Sequence, residues 1–356
     1  MIDTPVSLHL PSGSTLIEDV DEEIFLLYTR KQQLAGPPTV GSSGFPSSSG
    51  LGSHSDKEGV LFLSLAVSNP LSTVRDTSTA QGKKSKKAGR KGTEKEEEVT
   101  VEVELHQELN ALRNRKGDTG SVLWRLSMHL ALYLLRSYHF PHPSYRPLFP
   151  SLFSSRILEL GSGTGFLGLA LRSLFNSPAA DPDATRGASW IFTDQLVNLP
   201  LVVRNLRANG VDPASPSARV AVEELDWLAE SQEWEKRPGS LYAFSGGGEE
   251  TKIAKAPDLI LAADCIYNPS LSIPLARTIL RQAGRATIVL VASELRDEEP
   301  LEVFLRAWVE EGREEGWTLA RVGWVEGEEE EKAAGELASG QFVLWVGWRE
   351  QTKLNS

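Results

Sequence analysis

Three short segments concentrate the residue types that could do chemistry. The first, 156–168, reads Arg-Ile-Leu-Glu-Leu-Gly-Ser-Gly-Thr-Gly-Phe-Leu-Gly, a buried-strand pattern running into three alternating glycines and then into a Leu- and Ala-rich helix. Bare peptide groups at such a junction let a nucleotide-like ligand approach the backbone. The dinucleotide fingerprint G-x-G-x-x-G would need glycine at 166, where this chain has Phe166. Glu159 also stands just before the loop, where a pyrophosphate would meet like charge. A ligand without phosphate fits better, because carboxylates can then bind its ammonium and ribose hydroxyls; a nicotinamide dinucleotide is the second choice.

The second segment supplies carboxylates downstream. Asp194 ends the apolar run Trp190-Ile191-Phe192-Thr193, the usual place for chelating the ribose of an adenosine. Its alternative is the N-cap of a helix over 196–206. Leu225-Asp226-Trp227 follows the next strand pattern; the indole can cover one face of an adenine ring while Asp226 accepts from its amine. A purely core role for Trp227 is open as well. The third segment, 259–269, ends a buried strand in Asp264-Cys265-Ile266-Tyr267-Asn268-Pro269. A carboxylate at that position needs a partner or a cleft, which makes Asp264 a site residue and brings Tyr267 beside it. Cys265 reads as a packed small hydrophobe rather than a nucleophile, for no His follows nearby.

These segments must be held by regular elements. Apolar runs at 156–160, 190–193, 219–222, 258–263, 287–292, 317–324 and 342–348 alternate with helical patterns, which predicts a doubly wound, seven-stranded α/β sheet with helices on both faces. The last two runs have only 326–339 between them, with no convincing helix, and are expected to form an antiparallel edge hairpin. Ahead of this domain, Val122, Leu123, Leu126, Leu130, Leu134 and Leu135 recur at helical steps, and 59–67 with 99–105 form a strand pair. The expected organisation is an extension over 1–118 carrying that β-hairpin and two low-complexity inserts, about 35–55 and 72–98, followed by a Rossmann-like domain over 119–350. The second insert holds Lys83, Lys84, Lys86, Lys87, Arg90 and Lys91. It reads as a solvated tip, with a nuclear-import or RNA-contact patch as alternatives.

Composition sets the outer bounds. The chain has 356 residues, one cysteine and a net charge of −11. A single cysteine allows no internal disulfide and favours a reducing compartment, cytoplasm with or without the nucleus. No stretch approaches the roughly 18 apolar residues of a membrane span, and the N-terminus lacks a signal-peptide pattern. The acidic balance argues against direct nucleic-acid binding and suits a cationic partner. Glu326, Glu328, Glu329, Glu330 and Glu331 could steer such a partner, or form a solvated loop.

The order Glu159-Leu-Gly-Ser-Gly-Thr-Gly, Thr193-Asp194, Leu225-Asp226-Trp227, Ala263-Asp264-Cys265-Ile266-Tyr267 resembles the seven-β-strand methyltransferases of family 16, mostly protein lysine methyltransferases. Thr119-Gly-Ser-Val-Leu-Trp124, the strand pair with its lysine-rich insert, and Asp264-Cys-Ile-Tyr-Asn-Pro are similar to a fungal branch acting on ribosomal lysines. The likeness runs from 19 to 348 outside the inserts; Asp-x-x-Tyr is fairly specific to the family, whereas the glycine loop marks only the superfamily. It implies S-adenosylmethionine as cofactor, contacted by Trp124, Gly161, Ser162, Gly163, Asp194, Trp227 and Ala263, and no metal. It also implies that Asp264 and Tyr267 capture and orient a lysine on a basic protein, a 60S ribosomal protein by the resemblance. The competing functions are a small-molecule methyltransferase, a nicotinamide-dependent oxidoreductase, and a catalytically silent module that binds a basic ribosomal protein. Two departures stand out: Arg125, where relatives commonly carry a small or acidic residue, and a Ser- and Pro-rich stretch over 175–188.

Overall fold

A computed structural model describes residues 2, 4–5, 7–35, 58–70, 98–109, 120–142, 145–152, 155–175, 189–242 and 255–349. The insert positions 36–55 and 72–97, including the lysine-rich tip, and the stretch 176–188 lie outside the described residues.

The central sheet is built from β1 (Thr15–Leu16), β4 (Arg156–Leu160), β5 (Ser189–Asp194), β6 (Val220–Glu224), β7 (Leu259–Ala263), β8 (Ile288–Glu294), β9 (Trp317–Arg321) and β10 (Phe342–Arg349). Its order is β1-β9-β10-β8-β7-β4-β5-β6. Strands β6, β5, β4, β7 and β8 are mutually parallel, and β10 runs antiparallel to both β8 and β9. The expected antiparallel pairing of the last two strands is present, with a finer order than the sequence suggested. Strand β10 lies inside the sheet, and β1, which sequence patterning missed, covers the outer edge of β9. Between β9 and β10 the chain forms a short helix, Glu329–Ala334, where none was expected. Its acids are tied locally: Glu330 accepts from the Ser12 hydroxyl at 2.7 Å, and Glu331 accepts from the Gly327 N–H at 2.6 Å.

Helices cover both faces because the central strands are buried on both sides and read as near-continuous apolar runs. On one face lie α2 (Arg125–His139), α3 (Phe166–Phe175), α4 (Leu199–Ala208) and the expected hairpin of β2 (Val60–Ser68) and β3 (Glu98–His106). The other face packs α1 (Val20–Ala35), α5 (Trp227–Lys236), α6 (Pro269–Gln282) and α7 (Glu298–Gly312); α8 is the Glu329–Ala334 turn. Helix α2 presents Leu126, Leu130 and Leu134 to the core and stops at Phe140, before Pro141. Helix α1 was not anticipated. It is anchored by the buried Glu23, which accepts from Trp345 Nε1 and from Arg321, both at 2.9 Å.

The hairpin is fastened to the sheet domain by amides. Asn205 of α4 accepts from the His106 N–H at 2.7 Å and donates to the His106 and Thr164 carbonyls. Asn209 makes the corresponding pair with Glu104. Each side chain completes the exposed ladder edge of β3, so those peptide groups are buried without being orphaned. Gln107 accepts from the Leu123 N–H at 2.8 Å and fixes the entry into α2, one residue before Trp124.

Candidate active site

The sheet order reverses between β4 and β7, each of which starts a chain direction away from the other. In doubly wound folds that is where a ligand-binding crevice opens at the carboxyl ends of the strands. A cleft of about 900 Å³, open mouth included, lies there, and all nine residues singled out in the sequence line it: Trp124, Gly161, Ser162, Gly163, Asp194, Trp227, Ala263, Asp264 and Tyr267.

The glycine loop forms the floor of one half. Gly161 and Gly163 have φ of +63° and +55°. A Cβ on Gly161 would sit 2.8 Å from Cys265 Sγ and 3.1 Å from the Trp227 ring; one on Gly163 would sit 2.9 Å from the Gly120 carbonyl. Left-handed backbone and lack of space both exclude a side chain there. The Ser162 N–H donates to the Thr193 carbonyl, and its hydroxyl accepts from the Thr193 N–H at 3.0 Å, lacing the loop to the end of β5.

Asp194 closes this lacing. One oxygen accepts from the Gly163 N–H at 2.8 Å; the other accepts from the Gln195 N–H at 2.8 Å and from Asn198 at 2.9 Å. It is therefore not the N-cap of the following helix, whose N-cap is Asn198. These bonds hold the carboxylate at the end of β5, where it lines the cleft beside the glycine loop. Asp226 has a role that the sequence reading did not give it: its Oδ1 caps α5, accepting from the N–H groups of Leu228 and Ala229 at 2.8 and 3.3 Å. A cap satisfies helix-terminal donors that would otherwise be orphans, and Asp226 does this with one oxygen while also lining the cleft. Trp227, the first residue of α5, is thereby aimed at the cleft and lies over Gly161.

Glu159 requires a second correction. Its carboxylate accepts from Trp190 Nε1 at 2.7 Å, and burial pushes its pKa up to about 8 against the opposing effect of that hydrogen bond. At neutral pH it is mostly protonated, so its like-charge repulsion of a pyrophosphate is weak. The argument against a phosphate-bearing ligand rests instead on the wall. Among the described residues lining the cleft none is Lys, Arg or His, and the Gly163 N–H is already taken by Asp194.

The other half is built from side chains. Asp264 leaves β7 in the left-handed conformation, φ +60°, with its N–H donating to the Ala292 carbonyl at 2.8 Å. Its carboxylate has no exposed surface and is held bidentately by Arg296, at 2.9 Å to Oδ1 and 2.7 Å to Oδ2. Arg296 also donates to Glu294 at 2.8 Å, and Glu294 accepts from Arg125 at 2.9 Å. The Arg296 guanidinium sits over the Trp124 ring, 5.1 Å from its centre. Burial works against the Arg296 charge, but the Asp264 and Glu294 carboxylates outweigh it and raise its pKa above the ordinary guanidinium value. Arg125, a departure from the family pattern, thus belongs to this chain of ions. Sequence reasoning missed Arg296 and Glu294; their Glu-x-Arg spacing at the end of β8 was the available signal.

Tyr267 lines the cleft three residues on, before Asn268 caps α6 by accepting from the Ser270 N–H. Cys265 is buried, its thiol donates to the Leu160 carbonyl at 3.3 Å, and burial with the Asp194, Asp264 and Glu159 carboxylates pushes its pKa well up. It is a packing residue. Among the described residues no group of His, Cys, Asp and Glu is arranged to hold a metal. Likewise no described helix is long and apolar enough to cross a membrane.

The sheet order, the glycine cradle and the acid at the end of β5 define a class I methyltransferase fold with a cleft suited to a phosphate-free nucleoside cofactor. Residues 104–240 and 248–309, more than half of the chain, match the family described as lysine methyltransferase, and the chain belongs to that family. A Schizosaccharomyces pombe protein named diaminohydroxyphosphoribosylamino-pyrimidine deaminase is 30% identical over 208 residues, covering 57% of this chain and 41% of that protein. The human protein-lysine N-methyltransferase EEF2KMT is 28% identical over 201 residues, 53% and 49% of the two chains. This chain therefore spans about half or less of the curated relatives it matches first. Among solved structures, the S-adenosylmethionine-dependent methyltransferase SibL in its apo form is similar with a TM-score of 0.32 at 15% identity, covering 55% of this chain and 50% of that one.

Proposed function

We propose that this protein is an S-adenosylmethionine-dependent protein-lysine N-methyltransferase acting on a basic protein, with a large-subunit ribosomal protein as the substrate class. The observation that carries the reading is the juxtaposition, in one cleft, of the glycine cradle closed by Asp194 and the Asp264–Tyr267 loop. The residues fit the cofactor: a cradle that any Cβ would fill, the Asp194 carboxylate lining the cleft beside it, and a half-buried indole at Trp227 for a purine face. Bound there, S-adenosylmethionine would supply a methyl group already activated on a sulfonium, so acid or base strength matters less than alignment.

The chain's own residues then have three tasks. Gly161, Ser162, Gly163, Asp194 and Trp227 fix the nucleoside end, with Ala263 and Trp124 lining the passage to the acceptor half. Asp264 receives and orients the substrate amine. Tyr267 and Trp124 supply an aromatic wall that keeps water out and tolerates a methylated ammonium. The net charge of −11 and the family membership favour a cationic protein over a small molecule. The ribosomal target rests on the resemblance of 119–124, the hairpin and 264–269 to the fungal branch, and the single cysteine favours the cytoplasm, with or without the nucleus.

The test is incubation of the purified protein with radiolabelled S-adenosylmethionine and a hypomethylated lysate, followed by acid hydrolysis. Label recovered as methyl-lysine, in a protein of the large ribosomal subunit, is the expected result. Label in a small molecule, or uptake of the donor without transfer, would reject it in favour of the competing functions.

A further inference from the structure

Asp264 poses a difficulty for the proposed reaction. A lysine amine must be neutral to attack, its ordinary pKa is about 10.4, and an unpaired carboxylate within hydrogen-bonding reach would hold it as the ammonium. Yet the Asp264 carboxylate is not unpaired. Arg296 grips both of its oxygens, Glu294 shares the guanidinium, and Arg125 closes the chain on Glu294. Two carboxylates and two guanidiniums leave the cluster without net charge. Three separate elements contribute to it: β7 gives Asp264, the end of β8 gives Glu294 and Arg296, and the first turn of α2 gives Arg125. The Trp124 ring beneath Arg296 fixes the plane of the guanidinium.

We propose that Arg296 is a positioning residue that neutralises Asp264, so that the carboxylate orients the incoming amine without keeping it protonated. This rests on the lysine-methyltransferase reading and deepens it. Oδ1 of Asp264 accepts from Arg296 and from the Glu294 N–H, so it is Oδ2, held by Arg296, that keeps a lone pair to accept from the amine, while the guanidinium cancels the charge that would favour the ammonium. In the transfer, the amine nitrogen bonds to the methyl carbon as the carbon–sulfur bond breaks, its electron pair stays on the departing S-adenosylhomocysteine, and the amine's surplus proton leaves to water. Glu294 sets the balance from the other side, since it draws part of the Arg296 charge and is itself offset by Arg125.

Other titratable groups surround this cluster. The Cys265 thiol and Tyr267 lie on the same loop, Glu159 and Asp194 lie along the cleft floor, and His129 on α2 feels both Arg125 and Glu294, with burial the main influence lowering its pKa. All of them are common to wild type and variants, so a ratio of rates at each pH removes their contribution.

The experiment measures radiolabel transfer from S-adenosylmethionine to hypomethylated lysate protein between about pH 6 and 10 for wild type, Arg296→Gln and Glu294→Gln, each at saturating donor. Arg296→Gln leaves Asp264 with excess negative charge, so its rate relative to wild type should climb about tenfold or more from neutral to alkaline pH, and Arg296→Lys should restore the wild-type profile. Glu294→Gln leaves excess positive charge and should move the profile the opposite way, toward acid. Flat ratios across the range, or shifts of the same sign in both glutamine variants, would overturn the proposal and assign the ion chain a scaffolding role. Calorimetric uptake of the donor by each variant is measured alongside. A wild type that transfers no methyl group to lysine fails the functional reading itself; active wild type with flat ratios fails only the role of Arg296.

Discussion

The two halves of the cleft are built by different means. The donor half is backbone: glycines in the left-handed region, peptide hydrogen bonds between 162 and 193, and one carboxylate closing on the Gly163 N–H. The acceptor half is side chain, an alternating row of ions from Asp264 to Arg125 laid across three elements that are distant in sequence. A backbone cradle tolerates almost no change in residue type, because steric limits are absolute. An ion row tolerates substitutions that preserve charge, and its function should respond to pH. On the proposed reading, the donor half is therefore a rigid fitting and the acceptor half the place where this chain tunes its reaction.

The largest effect should come from breaking the cradle. Gly161→Ala places a Cβ against Cys265 and Trp227 in a backbone region that Ala disfavours, and donor affinity measured by calorimetry should fall at least ~100-fold. Affinity within a few-fold of wild type would show that the loop is not the donor floor. Next is Asp264→Asn, which removes the charge while keeping a residue that accepts positive φ. Methyl transfer should drop by about 100-fold with donor affinity nearly unchanged, so that the damage falls on the acceptor half alone. Loss of donor binding in this variant would erase the division between the halves.

A third variant, Asn205→Ala, sharpens the comparison by loosening only the support beneath the glycine loop. It strips partners from the His106 and Thr164 peptide groups, and denaturant unfolding should register a loss of about 2–4 kcal/mol. A loss below about 0.5 kcal/mol would mean that the hairpin is held by apolar packing alone. The last effect, read as a slope against pH rather than at one pH, concerns Glu159. Its folded pKa of about 8 lies above the unfolded value of 4.5, so the protonated form is the one that folding favours. Its contribution is complete below pH 4.5 and is lost as pH rises toward and through 8, at up to about 1.4 kcal/mol per pH unit. Glu159→Gln should flatten that decline in an unfolding series, and identical slopes in both proteins would contradict the burial of a neutral acid there.

The legibility of the sequence follows the same division. Strands β4, β5, β7 and β8 were readable because buried parallel strands are continuous apolar runs, and the cradle was readable because three glycines after a strand have few other uses. The residues at the ends of those strands, Asp194 and Asp264, followed from the topology. By contrast, Arg296 and Glu294 pair with Asp264 across 32 and 30 residues of sequence, and the Glu-x-Arg spacing at the end of β8 does not by itself name their partner. Asp226 shows a different gap: its position suggested a ligand contact, and the sequence reading did not see that the same carboxylate also caps the helix through the N–H groups of 228 and 229. Strand β1 has two residues, too few for any period to register, and α1 carries Phe25 and Leu26 on its exposed side, which blurs the amphipathic pattern.

The central claim is that the floor at 161–163 and the acid at 194 receive S-adenosylmethionine. Isothermal titration of the full chain with S-adenosylmethionine, and separately with S-adenosylhomocysteine, tests it most directly. Saturable uptake of one equivalent of each, lost in Gly161→Ala and kept in Asp264→Asn, is the predicted result; folded wild-type protein that takes up neither would contradict it.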